Sequence, residues 1–313
     1  MPVIAIDMGG TKIKFGIIDD AGKILSVLKL EASPGETTEK NLEKVNESVN
    51  KLLLEKDISR EQIKAIGIAV PSIVDDNNHV VTRYVKYKDA DEFDFNIWAK
   101  QHWGLPIVLE NDARAALIGE WQYGAGKGYN DIGLLTLGTG VGTAILSQGK
   151  LYKGKHFLGG SLGGHTSINF DGDPCNCGFF GCLETEASTW ALAGLASRHL
   201  LYSNSTLSKI EKLEFIHLFN EVDNGDELAR ILLDHCLKAW GTAIVNMVHS
   251  HDPELIIISG GIMKRQTEML PFFQKMVDQY AWLPAGTIKI KAALEVDYAG
   301  LLGIEYLANS LNK

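Results

Sequence analysis

The strongest constraint on the fold is a pattern that the chain contains twice. An apolar run, a glycine- and threonine-rich turn and a second apolar run form VIAIDMGGTKIKFGIID at residues 3–19 and IGLLTLGTGVGTAILSQGKL at residues 132–151. Two apolar runs of strand length that flank a tight glycine turn predict a β-hairpin. The return of the whole pattern indicates an internal duplication. We therefore expect two similar halves.

Strand-like and helical patterns alternate along the rest of the chain. Leu42, Val45, Val49 and Leu52 recur at helical spacing and predict an amphipathic helix. The runs KAIGIAVPS, PIVLEND and ELIIIS are typical of buried strands. The helical pattern ARAALIGEWQ follows the strand PIVLEND, and the helical pattern DELARILLDHCLKAWGTAIVNMVHS precedes the strand ELIIIS. A third helical pattern, DYAGLLGIEYLANSL, comes last in the sequence. This alternation predicts an α/β protein with mixed sheets.

Composition excludes several classes of function. The chain has 313 residues, of which 45% are hydrophobic, and a formal net charge of −9. That length and apolar content suffice for two domains, whereas a nucleic-acid binder needs a basic face to neutralise phosphates. The sequence contains no apolar run long enough to span a membrane, and no positive region precedes the first apolar residues as in a signal peptide. We expect a soluble, cytoplasmic protein that binds neither nucleic acid nor membrane.

Three of the four cysteines lie together in CNCGFFGCLE. A disulfide knot, a redox pair and a metal site are the alternatives. Four cysteines in so long a chain do not make a disulfide scaffold, and an odd cluster cannot pair completely. Cys175, Cys177 and Cys182 together with His165 offer the sulfur and nitrogen ligands of a zinc site, which we favour over a reduced cluster without metal. Cys236 lies in a helical pattern and is interpreted as a small buried apolar residue.

Glycine-rich turns follow three of the predicted strands, at residues 7–12, 138–142 and 259–262. Glycine lets the backbone approach an anion closely, because a Cβ would block that approach. None of the three turns matches a P-loop or the dinucleotide fingerprint GxGxxG, which disfavours a dehydrogenase. Two such turns at corresponding places of duplicated halves are stronger evidence for an anion-binding role than a single turn is.

The three glycine turns resemble those of a known superfamily. DMGGTK, LGTGVG and SGGI are similar to the phosphate 1, phosphate 2 and adenosine elements of the actin/hexokinase superfamily. The spacing of His165 from CNCGFFGCLE, and the sequence END at 110–112, resemble more narrowly the ROK family (repressors, open reading frames, kinases). The resemblance covers essentially the whole chain, and C-x-C-G-x-x-G-C-x-E is its most specific element.

That resemblance implies a fold and a division into domains. The fold is α/β, with two actin-like (ribonuclease H-like) domains whose mixed β-sheets are flanked by helices, and with the active site in the cleft between the domains. The smaller N-terminal domain would comprise residues 1–113, joined by the C-terminal helix at about 298–313. The larger domain, which carries the zinc-binding motif, would comprise residues 114–297.

The resemblance also implies an ATP-dependent sugar kinase, similar to glucokinases, that transfers the γ-phosphoryl group to a hydroxyl of a hexose, with the 6-OH as the expected acceptor. The alternatives are a kinase for a C1/C2-modified sugar (an N-acyl hexosamine, fructose or a glycoside) and a sugar-binding ROK protein without turnover. The expected cofactors are ATP, Mg²⁺ and a structural Zn²⁺, and a homodimer is expected. ROK repressors carry a winged-helix segment before the first glycine turn; with that turn at residue 7 of this sequence, we expect a kinase and not a DNA-binding repressor.

The catalytic base of the family matches Asp112. An ordinary aspartate has a pKa of about 4 and is ionised at neutral pH; the alternative interpretation is that Asp112 only caps the helix that follows. Glu110 is expected to be structural. The resemblance assigns sugar binding to five residues: Asn111, His165, Glu184, Pro71 and Ser72.

Nucleotide and metal binding are assigned in the same way. The nucleotide-binding residues would be Asp7, Gly9, Gly10, Thr11, Lys12, Gly138, Thr139, Gly140, Gly260 and Gly261. Asp7 would support Mg²⁺ through water, and Lys12 is either a phosphate-side charge or an ordinary surface lysine. Zinc would be bound by His165, Cys175, Cys177 and Cys182, and it would position Glu184.

This chain departs from the family pattern in the sugar loops. The family's GExGH reads SLGGH here, so Leu162 replaces a sugar-binding glutamate, and Ser72 replaces a glycine of the loop GxxxPG. The polar segment DDNNHVVTRYVKYKDADEFD is predicted to be a solvated loop or a loop that faces substrate. Arg83 and Tyr84 in this segment also depart from the pattern and could compensate for Leu162.

Overall fold

Each predicted hairpin begins a five-stranded mixed sheet. The computed structural model describes residues 1–33, 35–82, 87, 89–91, 93–284 and 286–311. Within these ranges, the chain forms two units: Met1–Gly128 with Lys153–Gly159 and Asp297–Lys313, and Tyr129–Tyr152 with Gly160–Val296. We call them unit 1 and unit 2. No helix in the described ranges has the length and apolar character that crossing a membrane requires.

The sheet of unit 1 has the strand order β3-β2-β1-β4-β7. Its strands are β1 (Val3–Met8), β2 (Lys12–Ile18), β3 (Ile24–Glu31), β4 (Ile66–Val70) and β7 (Ile107–Asn111). The first three form an antiparallel meander, whereas β4 pairs parallel to both β1 and β7. The predicted hairpin and both predicted strands of this half are therefore confirmed.

Helices cover both faces of this sheet because its central strand is apolar on both sides. On β1, Ile4 and Ile6 pack with the residues of α1 (Thr38–Glu55) and α2 (Phe95–His102), whereas Val3 and Ala5 pack with those of α9 (Ala299–Asn309). Alternate residues of a strand point to opposite faces, which divides the apolar core of unit 1 in two. The helix predicted from the spacing of four apolar residues is α1, and all four are buried.

The described residues of the polar segment include a short sheet and three buried side chains. A two-stranded antiparallel sheet pairs β5 (Ile73–Asp75) with β6 (Val80–Thr82). Val81, Tyr87 and Ala90 are buried in the core of unit 1. The interpretation of this segment as a solvated loop therefore holds only in part for the described residues, since Val81, Tyr87 and Ala90 are buried whereas Asn77, Asn78 and Val80 are exposed.

Unit 2 repeats the topology of unit 1. Its sheet has the order β10-β9-β8-β11-β12, with β8 (Ile132–Leu137), β9 (Val141–Ser147), β10 (Lys150–Leu151), β11 (Leu255–Ser259) and β12 (Lys289–Ala292). An antiparallel meander again adjoins two parallel pairings. Five helices belong to this unit among the described residues: α4 (Leu183–Ala187), α5 (Thr189–Ser197), α6 (Phe215–Asp223), α7 (Glu227–His251) and α8 (Gln266–Tyr280). The duplication inferred from the sequence is thus a duplication of fold.

The units are not divided where the sequence predicted the second domain to begin, at residue 114. Residues 114–128, most of which form α3 (Asp112–Tyr123), belong to unit 1. The physical reason is that α3 packs closely against α9. A Cβ on Gly119 would lie 2.0 Å from the carbonyl oxygen of Ala299, and one on Gly303 would lie 1.8 Å from that of Ala115. The two backbones approach each other to a distance that only glycine permits.

We predict that Gly303→Ala destabilises the protein by about 1–3 kcal/mol, because the added methyl group must displace the backbone of α3. The matched control is Gly194→Ala in α5, where the nearest atom to the new Cβ is the end of the Arg198 side chain at 3.3 Å. Because alanine favours helix more than glycine does, the control should be neutral or stabilising. Denaturant unfolding midpoints measure both, and equal midpoints for the two variants would contradict this account of the helix contact.

Candidate functional site

The predicted site residues fall into a group in unit 1 and a group in unit 2. Asp7 lies near the end of β1, directly across from Lys14 of β2. A Cβ on Gly300, in the first turn of α9, would lie 3.6 Å from Oδ2 of Asp7. Burial raises the pKa of Asp7, and the positive charge of Lys14 acts in the opposite direction. Asp7 is thus a half-buried carboxylate that faces a helix N-terminus, which favours negative charge.

The turn after Asp7 has the close backbone approach expected from its glycines. A Cβ on Gly9 would lie 2.6 Å from the carbonyl oxygen of Lys12, and the carbonyl of Gly9 accepts a hydrogen bond from the Tyr87 hydroxyl at 3.1 Å. Thr11 is exposed beside Gly10. Lys12 is exposed as well, with its Nζ 3.9 Å from the Glu31 carboxylate. This placement agrees with the interpretation of Lys12 as a surface lysine.

Asn111 and Asp112 stand where β7 ends and α3 begins. Asn111 is the N-cap, because its Oδ1 accepts the backbone N–H of Arg114 at 3.1 Å. Its Nδ2 donates to the carbonyl of Ser72 and to Oδ1 of Asp112, both at 3.1 Å. Asp112 Oδ1 also accepts the N–H of Ala113 at 2.8 Å. The interpretation of Asp112 as the helix cap is therefore wrong, since Asn111 occupies that position.

The pKa of Asp112 differs from that of an ordinary aspartate, which is about 4. Burial, followed by the negative charge of Asp7, raises this pKa to about 6. Hydrogen bonds from the backbone and from Asn111 oppose the shift. The carboxylate is consequently still ionised at neutral pH, but it holds a proton more tightly than an ordinary aspartate does.

Glu110 forms a buried ion cluster next to Asn111 and Asp112. Its Oε2 lies 2.6 Å from Nζ of Lys153, and its Oε1 lies 3.5 Å from Nη1 of Arg114 and accepts the N–H of Asn111 at 2.9 Å. Lys153 also contacts Asp76 at 2.6 Å. The Glu110 and Arg114 side chains are each only 1% exposed, so each depends on the other for charge compensation. These contacts support the structural role expected for Glu110.

Pro71 and Ser72 follow β4, and the Ser72 carbonyl accepts a hydrogen bond from Asn111. The Ser72 hydroxyl donates to the carbonyl of Thr82 at 2.6 Å, which fixes the loop against β6. The bond from Asn111 to the Ser72 carbonyl ties the loop to the start of α3. Arg83 and Tyr84 lie outside the described residues.

In unit 2, the turn between β8 and β9 is held by the start of α5. The carbonyl of Gly138 accepts hydrogen bonds from the N–H and the hydroxyl of Thr189, at 3.0 and 2.8 Å. The carbonyl of Thr139 accepts the N–H of Trp190 at 3.3 Å. A Cβ on Gly140 would lie 2.5 Å from the Glu184 carboxylate. The predicted phosphate turn is therefore in contact with a predicted sugar-binding residue.

The third glycine turn lies beside the second. Gly260 follows β11 with a φ of 107°, a conformation that favours glycine, and its Cβ would lie 2.0 Å from the carbonyl oxygen of Leu137. Gly261 then begins a short 3₁₀ turn, and a Cβ there would meet no atom within 4 Å. The structure thus brings residues 137–140 and 259–262 together.

The four predicted zinc ligands converge in unit 2. Their side-chain donor atoms all lie within 4.8 Å of one another. Sγ of Cys175 is 3.5 Å from Nδ1 of His165, and Sγ of Cys177 is 3.6 Å from Sγ of Cys182. Ligands of a tetrahedral zinc, at about 2.0–2.3 Å from the metal, are separated by about 3.5–3.8 Å. The donor set and these two separations fit zinc, which the four residues would hold.

Glycines shape the loop that carries the cysteines. Gly178 and Gly181 both have positive φ, and a Cβ on Gly181 would lie 1.5 Å from the carbonyl oxygen of Asn169. The N–H of Cys175 donates to the carbonyl of Phe179 at 2.7 Å, which closes the loop. These features explain the glycine spacing in CNCGFFGC, because the backbone must fold back tightly to bring its sulfur atoms together.

The zinc motif leads directly into the predicted sugar residues. Glu184 lies in the first turn of α4, which begins after Cys182. Its Oε2 accepts the N–H of Val141 at 2.8 Å. His165 ends a 3₁₀ turn that follows Leu162, and the Leu162 side chain is 37% exposed. Nδ1 of His165 faces Cys175, so Nε2 is the ring nitrogen that this contact leaves available.

Sequence reasoning did not identify several residues that contact the site. Lys14 could have been found from the hairpin register, which places it across from Asp7, and Arg114 from its spacing of four residues after Glu110. Lys153 and Trp190 lack any such local signal. They reach the site only through tertiary structure.

Comparisons with known proteins agree with this geometry. The model of the ROK family matches residues 3–310. Glucokinase of Thermotoga maritima is 33% identical over 310 residues, which cover 97% of this chain and 96% of that protein. β-Glucoside kinase of Listeria innocua is 28% identical over 308 residues, with 98% and 97% covered. The crystal structure of a ROK family glucokinase from Streptomyces griseus in complex with glucose and AMPPNP matches with a TM-score of 0.80 and 28% identity over 99% of each chain.

The family match also accounts for the repeated topology. The two five-stranded units are the actin-like halves that the resemblance implied. The family match extends over both units, including the glycine turns, the Asn111–Asp112 pair and the cysteine cluster. The chain belongs to the ROK family.

Proposed function

We propose that this protein is an ATP-dependent sugar kinase that transfers the γ-phosphoryl group of ATP to the 6-OH of a hexose. The observation that supports this most strongly is the Asn111–Asp112 pair, which presents a carboxylate with a raised pKa at the start of a helix. The similarity to two kinases of sugars and to a glucokinase solved with glucose and AMPPNP points in the same direction.

Asp112 is the proposed general base. Phosphoryl transfer has a loose transition state, so the protein contributes mainly positioning and charge stabilisation. A carboxylate with a pKa near 6 is ionised at neutral pH and accepts the hydroxyl proton more readily than one with a pKa near 4, in accordance with Brønsted behaviour. Asn111 fixes its orientation through the bond to Oδ1 of Asp112.

The glycine turns are the proposed nucleotide site. Their backbone N–H groups would contact phosphate oxygens at Gly9, Gly10, Thr11, Gly138, Thr139 and Gly140, and Gly260 and Gly261 would face the adenosine. Asp7 would hold Mg²⁺ through water, and the ion would neutralise phosphate charge. Lys12 could reach a phosphate only by leaving Glu31, with which it forms an exposed pair.

The proposed sugar site comprises Asn111, His165, Glu184, Pro71 and Ser72, with zinc as the structural support of His165 and Glu184. Leu162 cannot accept a hydrogen bond from a sugar hydroxyl, as a glutamate would. An unmodified hexose such as glucose is our leading substrate, bound through the remaining polar groups. The exposed apolar side chain of Leu162 is the observation that favours a C1/C2-modified sugar as the second candidate.

Coupled ADP release tests the proposed activity. The panel should contain glucose, mannose, fructose, N-acetylglucosamine, N-acetylmannosamine and a β-glucoside. Turnover of glucose supports the leading substrate, and turnover of only a modified sugar supports the second candidate. A non-catalytic sugar-binding protein would release no ADP with any of them.

We predict that Asp112→Asn binds sugar and nucleotide but loses about 10²–10⁴-fold in kcat, because the substitution keeps the shape and removes the proton acceptor. Asp234→Asn, at an exposed position of α7, is the control and should retain wild-type kcat. Near-normal kcat in Asp112→Asn would show that another group accepts the proton.

The pH dependence follows from the same carboxylate. Protonation of Asp112 removes the base, so kcat/KM for the sugar should fall as the pH drops through about 6, the pKa set by burial and Asp7. An unperturbed aspartate would give this fall near pH 4. The measurement uses saturating nucleotide, and the residual activity of Asp112→Asn should lack the transition. A transition near pH 4 would contradict the raised pKa.

We predict one zinc per chain, bound by His165, Cys175, Cys177 and Cys182. Elemental analysis of protein purified without added metal should find zinc in the wild type and in Cys236→Ala, whose sulfur is buried in α7. It should not find zinc in Cys182→Ser. Because a structural zinc contributes directly to folding free energy, its removal should lower the melting temperature. An unchanged melting temperature and full activity after verified removal would exclude a structural role.

The homodimer and the cytoplasmic location expected from the resemblance stay predictions. Size-exclusion chromatography with light scattering measures the first. Neither is needed for the phosphoryl transfer proposed above.

A further inference from the structure

We propose that Trp190 is a positioning residue for the Glu184 carboxylate and thereby determines how tightly the protein binds its sugar. The indole Nε1 of Trp190 donates a hydrogen bond to Oε1 of Glu184 at 3.1 Å. This inference rests on the proposed function, because it assigns Trp190 a role in sugar binding through Glu184.

The carboxylate of Glu184 is held at both oxygens. Oε2 accepts the backbone N–H of Val141 at 2.8 Å, while Oε1 accepts the indole N–H. Gly140 permits this position, since a Cβ there would lie 2.5 Å from Oε2. Each oxygen keeps one lone pair for a sugar hydroxyl. Two donors from opposite sides fix the plane of the carboxylate, so its orientation is set before the sugar arrives.

The tryptophan is itself fixed to the phosphate turn by its backbone. Its N–H donates to the carbonyl of Thr139 at 3.3 Å, and the neighbouring Thr189 donates twice to the carbonyl of Gly138. The side chain of Trp190 thus connects the proposed sugar carboxylate to the start of α5, which is bonded to residues 138 and 139. Hydrogen bonds thus connect the proposed sugar-binding carboxylate to the proposed phosphate-binding turn.

Core packing accounts for only part of the role of a tryptophan at this position. The buried residues of α5 are Ala191, Leu192 and Ala196, whereas Trp190 is 42% exposed. Its indole N–H donates to Glu184, and this is the contact that a phenylalanine of similar shape could not make.

The variant Trp190→Phe removes the hydrogen bond of the indole N–H and leaves that of the backbone N–H in place. Phenylalanine keeps an aromatic ring and the backbone N–H that bonds Thr139, but it cannot donate to Glu184. Loss of one donor frees the carboxylate to rotate, and fixing it again opposes sugar binding. We expect KM and the directly measured Kd for the sugar to rise about three- to tenfold, with KM for ATP and kcat within about twofold of the wild type.

Two further variants decide whether Trp190 acts through Glu184. In a Glu184→Ala background, Trp190→Phe should produce no additional rise in sugar KM, because the acceptor that it positions is gone. Trp282→Phe, at a side chain that is 86% exposed, is the matched control and should leave all constants unchanged.

The results that overturn the inference are distinct from those that overturn the kinase. Wild-type sugar KM in Trp190→Phe, or the same rise in the Glu184→Ala background as in the wild type, would refute the positioning role and leave the activity intact. A fall in melting temperature with both KM values changed together would show a purely structural role. Absence of ADP release by the wild type with every sugar would instead refute the proposed function.

Discussion

The arrangement of unit 1 depends on the close approach of α3 and α9. Gly119 and Gly303 bring the two backbones to distances at which any Cβ would overlap a carbonyl oxygen. This contact holds α9 against the sheet, where Ile304 lies over Gly67 of β4, and it places Gly300 beside Asp7. It also holds the helix that begins with Asp112. A local steric constraint far along α3 thus fixes the surroundings of both carboxylates.

The electrostatics of the site follow from that geometry. Asp7 and Asp112 are both partly buried, and burial is the largest cause of the raised pKa of each. Their like charges add to the shift of Asp112, whereas Lys14 moderates that of Asp7. Behind them, Glu110 is neutralised by Arg114 and Lys153 and so remains structural. Neighbouring carboxylates in one short stretch therefore have different chemistry because their environments differ.

Much of the architecture could be predicted from the sequence because it is encoded locally. Strand length and the paired glycine turns predicted both hairpins and the duplication, and helical spacing predicted α1 and α7. The spacing of the cysteines from His165 predicted the metal cluster. The raised pKa of Asp112 and the bond from Trp190 to Glu184 could not be predicted, since each depends on residues distant in the chain. Asn111 as the helix cap was also missed, because Asn and Asp are nearly equal in N-cap preference.

Unit 1 is built from stretches that are far apart in the chain, and this has a consequence for biosynthesis. The apolar residues of α9, such as Leu301 and Ile304, cover Val3 and Ala5 of β1, yet the ribosome makes them after all of unit 2. Throughout that interval, the face of the first sheet that α9 covers is buried only in part, by residues such as Ala115 of α3, and is open to aggregation. Unit 2, whose residues end at 296, can complete its fold earlier. The nascent chain must therefore keep its first half soluble until its last helix emerges.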